Sequence, residues 1–76
     1  MNDPEVILYT IGDKLTQLRI KSGHASYETF AIEHKLSRMQ YWRMENGKTN
    51  MTIKSLVRIL KIHNLTPAQF FRKEKF

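Results

Sequence analysis

Five times in 76 residues, a short polar side chain able to accept a hydrogen bond from a free helical N–H stands just ahead of an apolar stretch with a period near 3.6. Such punctuation dictates helices, because each cap satisfies backbone donors that only a helix start leaves open. Asp3-Pro4, followed by Glu5, places an N-cap, a first-position proline and an acid at the positive end of a helix dipole. Leu8, Ile11, Leu15 and Leu18 then form one stripe with Ile7 alongside, predicting a helix over residues 4–22 that stops at Gly23. Ser26 caps a short second helix through Tyr27–His34, with Phe30 and Ala31 turned inward. After a break at Lys35-Leu36, Ser37 and Gln40 have capping-box spacing for a third helix over 38–46, ending at Asn46-Gly47. Thr52 or Asn50 caps a fourth, carrying Ile53, Leu56, Val57, Ile59 and Leu60 and stopping near His63-Asn64. Thr66-Pro67-Ala68-Gln69 opens a short fifth with Phe70 and Phe71. No stretch alternates as strands do. The expected fold is all-α, five helices in a single domain over residues 1–76.

Hydrophobic residues make up 41% of the chain and charged residues 26%, the balance of a soluble folded domain. No apolar run approaches the roughly 20 residues of a membrane span, and Asp3, Pro4 and Glu5 stand where a secretory signal needs basic residues. No membrane partner is expected, and the cytoplasm is the simplest compartment. Cysteine is absent, which removes disulfides and thiolate metal sites. Residues 1–37 carry four lysines and arginines against five acids, whereas residues 38–76 carry nine against two. A basic half beside a near-neutral half suits a polyanion partner or, more plainly, a solvated surface.

Catalysis finds little support. His24, His34 and His63 form no i, i+4 pair with another ligand, so no metal site is expected. Gly12, Gly23 and Gly47 are too widely spaced for a phosphate loop, and Ser26 and Ser37 are already explained as caps. Neither an enzyme nor a cofactor is expected.

The third helix carries the most information. At 100° per residue, Tyr41 and Met44 share one face, while Met39, Trp42, Arg43 and Asn46 lie opposite with Arg38 at the flank. With Tyr41 and Met44 buried, an arginine, a tryptophan, a methionine and an asparagine project together. Arginine pairs bidentately with guanine, asparagine with adenine, and methionine or tryptophan lies against a thymine methyl. Aromatic residues beside arginine also make protein-interface hot spots. The alternative is therefore a protein-interaction module or an antitoxin-like partner.

The stretch from Ser26 to Phe71 resembles the Cro- and lambda-repressor-like (XRE-type) helix-turn-helix domains. The resemblance is carried by Ser26-x-x-x-Phe30-Ala31, Leu36-Ser37-Arg38, Tyr41-x-x-Met44-Glu45-Asn46-Gly47-Lys48, Ile53-x-x-Leu56-x-x-Ile59-Leu60 and Leu65-Thr66-x-x-Gln69-Phe70-Phe71, preceded by Gly12 and Leu15-x-x-Leu18-Arg19. It implies a five-helix lambda-repressor-like bundle with its motif at about 26–46, and a sequence-specific regulator of transcription that binds double-stranded DNA. By that resemblance the helix at about 38–46 lies in the major groove, with Arg38, Met39, Trp42 and Arg43 toward bases. Tyr27, Gln40, Lys48, Thr49 and Asn50 match positions along the backbone. Glu45 matches an acid paired with a first-helix arginine, here Arg19, and Ala31 the small residue where the motif helices cross. Departures fall at Lys35, where the family usually has a left-handed glycine, at His34 and Tyr41 in place of aliphatic residues, and around Gly23–Ala25, one residue longer. One domain reads a half-site, so a homodimer on DNA is expected, with half-sites ~34 Å apart or a multiple of that. The C-terminal helix, with Phe70, Phe71 and Phe76, either supplies the dimer surface or closes the core.

Overall fold

The computed structural model describes residues 3–72. Five helices follow in order: α1 Pro4–Lys21, α2 Tyr27–Glu33, α3 Arg38–Glu45, α4 Ile53–Ile62 and α5 Pro67–Phe71. No strand occurs among the described residues, and none of the helices is long and apolar enough to cross a membrane. The architecture is an all-α bundle of the lambda-repressor-like kind.

Each helix starts on its own cap. Asp3 accepts from the Glu5 N–H at 2.9 Å, Ser26 from Glu28 at 3.1 Å, Ser37 from Gln40 at 3.3 Å and Thr52 from Ser55 at 3.0 Å. At Thr66 the box is complete, since Gln69 Oε1 also accepts from the Thr66 N–H at 2.9 Å. At Ser37 only the serine half forms, which corrects the reciprocal box expected there. Of the two candidates for the fourth cap, Thr52 fills the role.

Four helices end alike. Gly23, Lys35, Gly47 and Asn64 take positive φ. After each, the next N–H reaches back to the carbonyl five residues earlier: His24 to Arg19, Leu36 to Ala31, Lys48 to Arg43 and Leu65 to Leu60. These are Schellman closures, which satisfy carbonyls that the helix end leaves open. They stop α1, α2 and α3 one residue short of the expected ends, at Lys21, Glu33 and Glu45, with Ser22, His34 and Asn46 as C-caps. Lys35 adopts the left-handed turn with φ 57° despite its Cβ, at a cost of about 1 kcal/mol relative to glycine.

The core joins Ile11 and Leu15 of α1, Phe30 and Ala31 of α2, Tyr41 and Met44 of α3, and Leu56, Ile59 and Leu60 of α4. Phe70 completes it, while Phe71 is half-buried against its edge, so Phe70 closes the core. Lys14 reinforces that closure, its ammonium donating to the Phe70 carbonyl and lying 4.9 Å from the centre of its ring. Phe76 lies outside the described residues. One apolar assignment needs correcting: Ile53, in the first turn of α4, is 72% exposed. Leu8, Leu18 and Val57 are half-buried.

Candidate nucleic-acid interface

The α2–turn–α3 unit is built around small and aromatic side chains. Ala31 is wholly buried, and the rings of Phe30 and Tyr41 lie 5.1 Å apart across the two helices. The turn at Lys35 is held from outside by Arg58 of α4, whose Nη2 donates to the Lys35 carbonyl at 3.2 Å. Arg58 also borders a cleft with Ser37 and Gln40 at the start of α3. Sequence periodicity does not single out Arg58, because its partner is a backbone carbonyl 23 residues away.

Helix α3 is aimed by three buried residues. Tyr41 and Met44 point into the core, and Glu45 is buried beside them. Arg38, Met39, Gln40 and Arg43 are therefore turned to solvent. Trp42 is only 37% exposed, so the indole lies partly against the protein instead of standing free. Asn46 is exposed, as expected. Its amide Nδ2 donates one of its two hydrogens to the Trp42 carbonyl at 2.9 Å, which holds the amide against the end of α3.

Two glycines set the separation between α3 and α1. A Cβ on Gly12 would come within 2.5 Å of the Met44 oxygen and closer still to that of Glu45. Side-chain-free backbone is therefore required where the helices cross. At Gly47, in the left-handed turn after α3, a Cβ would sit 2.9 Å from Tyr9 Cα. The end of α3 thus rests directly on α1.

Charge locks the same junction. Arg19 Nε donates to Glu45 Oε2 at 2.7 Å, and Nη2 to Oε1 at 3.2 Å, a two-point grip in a buried setting. Its Nη1 donates to the His24 carbonyl at 2.8 Å, linking the loop before α2. The Glu45 hydrogen bond pushes the Arg19 pKa up, outweighing burial. The Tyr41 hydroxyl is buried without a well-formed hydrogen bond. Burial first, and then the Glu45 carboxylate, push its pKa far above that of an ordinary phenol. The junction therefore sets a buried Arg19–Glu45 ion pair beside a neutral Tyr41 phenol.

The remaining site residues flank this helix. Tyr27 is half-buried in the first turn of α2, directly after the Ser26 cap. Lys48 and Asn50 are exposed and Thr49 half-buried in the segment after α3. That segment faces Glu5, Leu8 and Tyr9 of α1 across an open groove. Helix α3 thus presents a basic, partly apolar face, and an exposed polar segment follows it in the chain. Such a surface is chemically suited to a nucleic-acid duplex.

No protein-family model matches the chain. It is 43% identical over 49 residues to the plasmid copy control protein CopR of Streptococcus agalactiae, covering 64% of this chain and 53% of that protein. It is 34% identical over 71 residues to the control protein C.MunI of a Mycoplasma species, covering 93% of this chain and 92% of that protein. The chain thus spans about half the length of CopR and nearly all of C.MunI. Both relatives are control proteins by name.

Proposed function

The chain belongs to the family of the control protein C.MunI, and we propose that it acts as a sequence-specific regulator of transcription that binds double-stranded DNA through α3. One observation carries this reading: Tyr41 and Met44 are sealed in the core while Arg38, Met39 and Arg43 of the same helix face outward. An α-helix fits the major groove, and arginine has the fork geometry to read guanine there. In this reading Arg38, Met39, Trp42 and Arg43 contact bases. Trp42 contributes the edge of a half-covered ring, suited to a thymine methyl.

Tyr27, Gln40, Lys48, Thr49 and Asn50 hold phosphates on either side. Ser26 already caps the Glu28 and Thr29 N–H groups at the start of α2, so the Tyr27 contact rests on its side chain. Arg19 and Glu45 stay within the protein and hold α3 in place. Two copies bind two half-sites about 34 Å apart or a multiple of that. The C-terminal helix provides the surface between copies, with the half-buried Phe71 as its apolar contribution.

Selection of bound sequences from a random duplex pool tests the proposal. The expected result is one enriched motif, repeated as a half-site, bound with an affinity that falls steeply as salt rises. Recovery of random sequences alone, or binding indifferent to salt, would remove the regulator reading. The same surface would then belong to a protein partner.

A further inference from the structure

All three histidines of the chain gather round one aromatic ring. His24 meets Phe30 edge-on at 5.2 Å, His34 lies tilted at 4.6 Å, and His63 stacks in parallel at 5.4 Å. Two of them also converge on a carboxylate. Glu33 Oε2 is 2.9 Å from His24 Nε2 and 3.3 Å from His34 Nε2. One ligand atom from each of the three residues lies within 4.8 Å of the others. The corner between α1 and α2 creates this cluster, so no single-helix ligand spacing announces it.

The hydrogen bonds around His24 decide which nitrogen faces Glu33. Ser22 Oγ donates its one proton to the Arg19 carbonyl at 2.7 Å, leaving it to accept from His24 Nδ1 at 3.0 Å. A neutral His24 therefore carries its hydrogen on Nδ1 and presents a bare Nε2 to Glu33 Oε2. Two acceptors 2.9 Å apart repel unless a positive species is shared between them. An imidazole whose Nδ1–H is held by a neighbouring oxygen, with Nε2 open, is the arrangement that metal-ligating histidines adopt.

We propose that His24, Glu33 and His34 form a binding site for a divalent first-row transition ion, with zinc as the type. Tetrahedral zinc with bonds of ~2.0–2.1 Å sets its ligands roughly 3.3 Å apart, close to the two nitrogen–oxygen separations of 2.9 and 3.3 Å, while the two histidine nitrogens, within 4.8 Å of each other, close onto the ion by side-chain rotation. Two imidazoles and one carboxylate favour zinc, nickel or copper over magnesium and calcium. Glu33 is exposed, which opens the site to an entering ion and leaves its fourth position to water. His63 is not a ligand. Its Nε2 is buried without a hydrogen-bond partner, and its ring stacks on Phe30. A bound ion would tie the loop after α1 to the end of α2, immediately before the Lys35 turn that leads into α3.

The test uses the full chain without an affinity tag, stripped of metal. Zinc is titrated in competition with a chromophoric chelator, and thermal unfolding is followed with and without it. One zinc per chain is expected, with a rise in Tm that magnesium and calcium do not produce. Glu33→Gln and His34→Gln should each weaken zinc binding at least tenfold and abolish the Tm rise. Glu33 is a surface residue, so its variant keeps the test valid even if a histidine variant folds poorly. Ser22→Ala should weaken binding about 10- to 100-fold, because it frees the ring that presents Nε2. His63→Gln should leave zinc affinity unchanged. Several results would each overturn the site: no stoichiometric binding, equal affinity in the Glu33 and His34 variants, or an equal response to magnesium.

Discussion

Arg19 grips both carboxylate oxygens of Glu45, so the last turns of α1 and α3 are joined by a buried pair at 2.7 and 3.2 Å. Removing one partner strands the other charge away from water, which costs far more than the pair contributes when intact. Glu45→Gln keeps the shape and removes the charge. Its expected destabilisation is about 3 kcal/mol. For a domain of this size that means a fall in Tm of more than about 10 °C, measurable by calorimetry. An unchanged melting temperature would remove the pair from the account of stability.

The Gly12 contact predicts a different defect. Gly12→Ala forces a methyl group into the Met44 and Glu45 carbonyls, and neither is the movable end of a side chain. Stability should drop by about 1–3 kcal/mol, with α3 displaced from α1. Duplex affinity should fall with it, even though residue 12 is not among the proposed DNA contacts. Unaltered stability and affinity together would show that the helices can separate freely.

Base reading and phosphate contact separate by substitution. Arg43→Ala should weaken binding to the selected site by about 1–3 kcal/mol and change binding to random duplexes much less. Lys48→Ala should weaken every duplex about evenly and reduce the salt slope by about one unit. Fluorescence anisotropy over a salt series on both duplexes reads the two effects. Equal losses in both columns for Arg43→Ala would reduce it to a positioning contact.

Lys35 holds a left-handed backbone that glycine adopts without strain. Lys35→Gly should therefore be neutral or stabilising by up to about 1 kcal/mol, partly offset by the greater freedom of glycine in the unfolded chain. Chemical denaturation provides the measurement. A clear loss of stability would mean that the lysine side chain contributes more than its backbone costs.

The helices are legible in the sequence because each start depends on one side chain and one or two nearby N–H groups. Burial of Tyr41 and Met44 is legible for the same reason: their spacing alone sets them on one face. Ile53 reads as core because periodicity registers residue type, yet a first-turn residue of α4 projects beyond the core edge. Asn46 reads as an outward polar group, but the end of α3 gives its amide a nearer partner in its own helix. The partial cover over Trp42 and the meeting of His24 with Glu33 and His34 are products of tertiary packing. No local pattern encodes either.

The Met44 and Glu45 carbonyls lie so close to Gly12 that the seat of α3 on α1 has no room for even one added methyl group. In the proposed reading, a new operator preference is reached by exchanging outer side chains such as Met39 and Arg43, not by retilting the rod. Exchanges at such exposed positions usually change folding energy by no more than about 0.5 kcal/mol. The molecule can thus be reprogrammed at its rim while its frame stays as it is.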